Sequence, residues 1–217
     1  MEIYESDREQ VEALRKWWKE NGGSIVLGAV LGLGAVFGWR AWQGYEQRQA
    51  VRASTAYQEL LDLADKGDRP RATAQGEFLV EDQPDRLYGA LGGLLLAKLA
   101  TEQGDLAGAA QRLESVIKHA DLPELKAVAQ IQLARVRLAQ GQSDEALTTA
   151  KADVPAPFAA ALAEARGDIL LARGETASAA EAYRQALAAM TPADPSRRIV
   201  EIKLDDLGLA ARPGAGS

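Results

Sequence analysis

Side chains that could do catalytic or metal-binding chemistry are few in this sequence and stand far apart. His119 is the only histidine, and the chain has no cysteine, so thiolate nucleophiles, thiolate metal sites and disulfides are excluded. His119 ends an amphipathic run and lies two residues before Asp121, a placement typical of a solvated helix end. The spacing therefore does not assemble a nucleophile, a base and an orienting group in the way that catalysis requires.

Three carboxylates cluster near the C-terminus, at Glu201, Asp205 and Asp206, and residues four apart share one face of a helix. Lys203 and the adjoining segment SRR offset their charge, which indicates a solvated, charge-balanced cap rather than a metal site. The sequence also lacks a Walker-type or dinucleotide-binding glycine pattern. These features predict a protein that is not an enzyme and has no cofactor or metal.

An uncharged segment from Asn21 to Trp39 is the strongest signal in the chain. A helix of this length spans about 30 Å, the thickness of a bilayer's hydrocarbon core. Aromatic residues suited to the two membrane interfaces flank it: Trp17, Trp18, Trp39, Trp42 and Tyr45. Its six glycines disfavour a soluble core helix, and the long acidic leader disfavours a cleaved signal. We predict a juxtamembrane segment over 1–20 and a single transmembrane helix over 21–43.

The anchor contains two GxxxG spacings, Gly28 with Gly32 and Gly34 with Gly38. Glycine lets two helix backbones approach closely in a membrane, so these residues are candidates for packing against a partner's transmembrane helix or a second copy. In the leader, Val11, Leu14 and Trp18 have helical spacing. An interfacial helix and an ordinary solvated flank both fit that pattern.

The rest of the chain repeats an Ala/Leu-rich run, a glycine turn and a second Ala-rich run. The turn glycines are Gly104, Gly141 and Gly174, and their spacing is near the 34 residues of tetratricopeptide helix pairs. Glycine can end a first helix in the left-handed conformation, and Asp105 or Ser143 can cap the next. The repeats predict an all-α fold, in which the transmembrane helix is followed by a tetratricopeptide-like helix-pair solenoid over 44–208.

Small residues recur at fixed positions around these glycines, as expected where helices cross closely. Seven residues before the turn glycines are Ala97, Ala134 and Gly167. Five residues after them are Ala109, Ala146 and Ala179. Arg166 interrupts a leucine column that contains Leu96 and Leu133. Arg166 and Arg137 occupy helix faces where other repeats have leucine or alanine, which makes them candidate groove residues.

The two ends of the solenoid are less regular. The segments RASTAYQELLDLADKGD and RATAQGEFLVED predict a degenerate first helix pair. At the other end, the segment PSRRIVEIKLDDLGL predicts a short helix in which Ile199, Ile202 and Leu207 close the stack. The tail over 209–217 is predicted to be disordered.

The charge balance limits the partners and leaves the topology open. From Tyr45 onward the chain carries 20 basic and 25 acidic residues, which disfavours nucleic acid as a partner. Four basic residues precede the anchor and three follow it at short range, so the positive-inside rule does not orient it. A membrane-tethered binding module and a scaffold with a cytoplasmic repeat domain, organising a division or secretion assembly, both remain open.

The N-terminal motifs MEIY, QVEA, NG and GWRAW, followed by a tetratricopeptide-like domain, resemble the YfgM family over nearly the whole chain. The resemblance implies an ancillary subunit of the SecYEG translocon in the bacterial inner membrane, with a cytoplasmic N-terminus and a periplasmic C-terminal domain. It also implies association with SecYEG and with a PpiD-like membrane-anchored periplasmic chaperone, and a link to newly translocated proteins. Unfolded clients as partners and a homo-oligomer are left open by the residues and the resemblance alike.

Overall fold

The computed structural model describes residues 3–83 and 86–208, and all regular structure in these ranges is helical. The helices are α1 (Ile3–Asp65), α2 (Arg69–Asp82), α3 (Leu87–Glu102), α4 (Leu106–His119), α5 (Pro123–Ala139), α6 (Ser143–Thr149), α7 (Ala159–Ala172), α8 (Thr176–Ala189) and α9 (Arg197–Asp206). A single 3₁₀ turn, Ala156–Phe158, precedes α7.

The chain divides into two units, 1–52 and 53–217. The predicted boundaries near residues 20 and 43 fall inside α1, which is helical across both, so these boundaries remain predictions. The predicted tail over 209–217 lies outside the described residues.

In the second unit each helix packs on the next, and the first helices of successive pairs, α3, α5 and α7, also touch in order. This is the arrangement of a helix-pair solenoid, in which each repeat contacts its neighbours. The predicted fold class, an apolar N-terminal helix followed by packed helix pairs, is confirmed.

The turn within each pair is closed in the same way. Gly104, Gly141 and Gly174 each have φ of 78° and follow the end of α3, α5 and α7. In the first of these turns, Gly104 N–H donates to Thr101 O at 3.0 Å and Asp105 N–H donates to Ala100 O at 2.9 Å. This pair of bonds is a Schellman motif, which satisfies the last carbonyls of a helix and needs a left-handed residue.

A fourth turn of the same kind was missed by the sequence reasoning. Gly67, with φ of 74°, links α1 to α2, and the amides of Gly67 and Asp68 donate to Ala64 O and Leu63 O, both at 3.0 Å. The sequence signal was present, because KGD at 66–68 resembles QGD at 103–105. The first helix pair is therefore regular at its turn.

The small residues lie where close helix crossing requires them. Five residues after each turn glycine is an alanine with no exposed surface: Ala72, Ala109, Ala146 and Ala179. Seven residues before Gly174, the small residue is Gly167 instead of an alanine. The ring of Tyr183 fills the space that its missing side chain leaves. A Cβ added to Gly167 would lie 2.4 Å from Cε1 of Tyr183, which is itself fully buried. The core is thus filled by matched large and small residues.

Of the two predicted helix caps, one is confirmed and one is wrong. Asp105 is the N-cap of α4, and its Oδ1 accepts from the Gly108 amide at 2.8 Å. Ser143 is the first residue of α6 rather than its cap; the cap position is Gln142, whose side chain makes no capping bond.

The prediction for the closing helix had the wrong register. α9 closes the stack with Val200 and Leu204, both buried, and with Leu207, which packs against the same core cluster. Leu207 was predicted correctly, but Ile199 and Ile202 point outward and are exposed. The reason is helical periodicity: Val200, Leu204 and Leu207 have the i, i+4, i+7 spacing of one apolar face. Lys203, between the two buried positions, is in addition held by carboxylates of α7.

Candidate membrane anchor and binding surfaces

The apolar part of α1 presents its side chains outward within its own unit. α1 is long and apolar enough to cross a membrane. The large apolar side chains described in this segment are exposed: Val26, Leu27, Val30, Leu31, Leu33, Val36 and Phe37. A helix with apolar residues on every face requires an apolar surrounding, and a bilayer supplies one.

The predicted interface anchors lie at both ends of this segment. Trp17, Trp18, Trp39, Trp42 and Tyr45 are each at least half exposed. A rise of about 1.5 Å per residue separates the two groups by about 30 Å, which matches the hydrocarbon thickness. At the N-terminal end, the Asn21 side-chain amide donates to Trp17 O at 3.1 Å, so this polar side chain is satisfied by the helix itself.

The four candidate packing glycines have open surfaces. A Cβ added to Gly28, Gly32, Gly34 or Gly38 meets no atom within 4 Å. At about 100° of rotation per residue, the pair Gly28 and Gly32 faces roughly 120° away from the pair Gly34 and Gly38. The anchor therefore offers two narrow grooves on different faces, and larger residues there would not disturb the helix itself.

The two candidate groove arginines are engaged within the solenoid. Arg137 donates to Glu114 and to Thr149 Oγ1, both at 2.6 Å, and so joins α5 to α4 and α6. Arg166 donates to Gln185 of α8. It also lines a surface cavity of about 280 Å³ formed by α7, α8 and residues 150–154, which follow α6. Each guanidinium group contacts the second helix of a helix pair: α4 and α6 for Arg137, and α8 for Arg166. The two arginines share no partner among these bonds.

A second surface cavity, of about 370 Å³, lies between α2, α3 and α4. Its lining is about half apolar and half polar. The apolar part includes Val80, Leu96 and Val116, and the polar part includes Asp105, Gln111 and Ser115. Arg112 lies at its edge and forms an ion pair with Glu77 at 3.1 Å. A hollow that combines apolar residues with a few polar and charged groups can accept a polypeptide side chain.

A network of charges connects α9 to α7 and α8. Lys203 Nζ donates to Glu164 Oε1 at 2.8 Å and to Asp168 Oδ1 at 2.7 Å, and the Tyr183 hydroxyl donates to Asp168 Oδ1 at 2.8 Å. Arg135 of α5 approaches Glu164 at 3.7 Å. The sequence analysis grouped Lys203 with the C-terminal carboxylates. Its partners in the structure, Asp168 and Glu164, lie 35 and 39 residues earlier in the chain.

The network shifts two pKa values in the same direction. Burial alone would lower the pKa of Lys203, but its hydrogen bonds to Asp168 and Glu164 outweigh burial and raise that pKa. Burial, together with the hydrogen bond to Asp168, raises the pKa of the Tyr183 hydroxyl above its usual range. Both groups therefore hold their protons more tightly in the folded chain.

This linkage predicts alkaline destabilisation of the repeat domain. The unfolded chain releases these two protons above about pH 10, before the folded chain does, so the stabilisation is complete below that pH and is lost as pH rises through the folded pKa values. The urea midpoint should fall more steeply there for the wild type than for a Lys203→Met, Tyr183→Phe variant. Equal slopes would contradict the role assigned to the network.

An N-terminal helix that is long and apolar enough to cross a membrane and a stack of helix pairs with glycine turns define a helical-repeat protein with one candidate membrane span in the described part of the chain. Residues 15–209 match the family model described as a tetratricopeptide repeat-like domain. The chain is 33% identical to the ancillary SecYEG translocon subunit of Escherichia coli, over 96% of this chain and all of that protein. This chain belongs to that family, the YfgM family.

Further relatives carry the same name. The ancillary SecYEG translocon subunit of Haemophilus influenzae is 29% identical over 93% of this chain and 97% of its own length. That of Neisseria gonorrhoeae is 25% identical over 95% of this chain and its whole length. The predicted family and the prediction of a non-enzymatic protein are confirmed by these relatives, which are ancillary subunits with a tetratricopeptide-like domain.

Proposed function

We propose that this protein is an ancillary subunit of the SecYEG translocon in the bacterial inner membrane. The observation that carries the proposal is the 33% identity to the Escherichia coli subunit along the whole of both chains. A match of this extent includes the leader, the apolar helix and the repeats, so it supports a shared overall role rather than a shared domain alone.

In this proposal residues 21–43 cross the membrane once, residues 1–20 lie in the cytoplasm and the repeat domain lies in the periplasm. The exposed apolar side chains of α1 and the aromatic residues at its ends support the crossing. The orientation follows from the proposed place at the translocon, where proteins emerge on the periplasmic side, since the flanking charges do not decide it.

The proposed partners divide between the two units. The glycine grooves of α1 contact a transmembrane helix of the translocon or of its partner chaperone. The repeat domain binds a PpiD-like chaperone, newly translocated polypeptides, or both. The surface cavity between α2, α3 and α4, which has both apolar and polar lining residues, supports that role. Helix-pair solenoids in general bind polypeptides through extended surfaces of this kind.

The second candidate function is a scaffold whose repeat domain faces the cytoplasm and organises a division or secretion assembly. The nearly equal numbers of basic residues on the two sides of the anchor are compatible with this orientation too. It requires the opposite topology and is therefore separable by one experiment.

The topology is tested with two single cysteines in the naturally cysteine-free chain, one replacing exposed Lys151 in the repeat domain and one replacing exposed Glu12 in the leader. A membrane-impermeant maleimide should label Lys151→Cys in intact spheroplasts and Glu12→Cys only after lysis. The reverse pattern would contradict the periplasmic domain and favour the scaffold.

A further inference from the structure

The outward face of α9 carries an apolar pair at the end of the stack. Ile199 is 55% exposed and Ile202 is 44% exposed, although the helix already buries Val200 and Leu204 on its inward face. The terminal helix of a solenoid normally presents a polar outer face, because no further repeat covers it. The two exposed isoleucines, one turn apart, therefore form an apolar patch where a polar surface is expected.

The charges around this pair are arranged symmetrically about Ile202. Arg198 lies four residues before it and Asp206 four residues after it, and helical periodicity places all three on the outward face. The Arg198 side chain is three-quarters exposed and lies 3.9 Å from Glu201 of its own helix, a surface pair that can exchange partners at low cost. Asp206 is exposed as well. An antiparallel helix of the same sequence would bring each Arg198 opposite the Asp206 of the other copy.

We propose that the outward face of α9 is a docking surface for α9 of a second copy of this chain. The two helices pair antiparallel about a twofold axis at Ile202, with the two Ile202 side chains in contact at the axis and an arginine–aspartate pair at each end. Such an interface is isologous: the same patch serves both copies. This inference goes beyond the proposed function, which needs no second copy.

The size of the patch sets the conditions under which pairing occurs. One ten-residue helix buries too little surface for a tight dimer in dilute solution. Chains anchored in the same membrane are held at a high effective concentration, which makes a weak contact productive. The experiment therefore uses the full chain in its own membrane.

A cysteine at the proposed twofold axis tests the geometry. Ile202→Cys brings two thiols together across the axis, and mild oxidation of membranes should yield a covalent dimer. Leu171→Cys is the matched control, since Leu171 is an apolar residue of α7 with 40% exposure. The control should give about tenfold less dimer, because its thiols meet only by random collision. Equal yields from both variants would overturn the proposal.

Charge exchange tests the pairing independently of the cysteine position. In the Ile202→Cys background, Arg198→Glu or Asp206→Arg alone places like charges opposite each other and should lower the dimer yield about tenfold. The two changes together restore opposite charges and should restore the yield. Dimer formation that ignores these changes, or crosslinking of the introduced thiol to a different protein, would overturn the proposal. Thermal unfolding of each variant checks that the inward face of α9 stays docked.

Discussion

Replacing Tyr183 with alanine is expected to lower the free energy of unfolding of the repeat domain by about 3–5 kcal/mol, the usual range for a buried aromatic residue. Tyr183 has no exposed surface, belongs to the core cluster that includes Val200 of α9, and donates a hydrogen bond to Asp168. The substitution leaves a cavity beside Gly167, where the ring now fills the space of the missing side chain. Urea unfolding of the full chain in detergent measures the effect.

Two further variants separate the causes of that loss. Tyr183→Phe keeps the ring and removes only the hydroxyl, so it should cost about 1 kcal/mol. Gly167→Ala should destabilise the wild type, because its Cβ would lie 2.4 Å from the ring. The same change in the Tyr183→Ala background should stabilise by up to about 1 kcal/mol, since the space is free and alanine favours helix. An effect of equal sign in both backgrounds would contradict the large-to-small match.

Replacing Gly28 and Gly32 together with leucine should lower the amount of SecYEG that co-purifies with the chain by about tenfold, because two side chains then block a close helix approach. The change should leave the chain itself intact, since a Cβ at either glycine meets no atom within 4 Å. Quantification of SecY in the affinity eluate measures the loss, and thermal unfolding of the repeat domain serves as the folding check.

Val26→Leu with Val30→Leu provides the matched control for this pair. It introduces the same number of leucines into the same exposed segment, on a face roughly opposite at about 100° per residue. Recovery of SecYEG should stay near the wild-type level. If both double variants behave like the wild type, Gly28 and Gly32 do not form the contact, and the groove at Gly34 and Gly38 or the repeat domain must provide it.

The helices and most of their turns were predictable because their signals are local. The left-handed glycine, the alanine five residues later and the apolar spacing all lie within one repeat, and the structure shows the first two directly at Gly104 and Ala109. Gly67 has the same signal and was missed. The helix before it, α1, begins at Ile3, so no helix start marks the beginning of the first repeat.

The register of α9 was mispredicted although a local signal was present. Val200, Leu204 and Leu207 have the i, i+4, i+7 spacing of one helix face, and this face is the inward one. The bonds from Lys203 to Glu164 and Asp168 were not predictable, because contacts between residues 35 or more positions apart leave no local trace in one sequence. Arg137 shows the same limit, since its ties to Glu114 and Thr149 depend on how three helices stack.

The membrane anchor was predictable from composition, because bilayer thickness and backbone hydrogen bonding restrict what can cross. The partner was not, since the fold of a helix-pair solenoid does not specify what it binds. The proposed partner rests on the similarity to the ancillary translocon subunits along the whole chain.

The most direct test of the proposed function is affinity purification of the full chain from mildly solubilised membranes of its native host, with quantification of the proteins recovered. We expect SecY, SecE and SecG to be enriched together, and a PpiD-like chaperone to accompany them. Recovery of a division or other secretion assembly without SecYEG would contradict the proposed function.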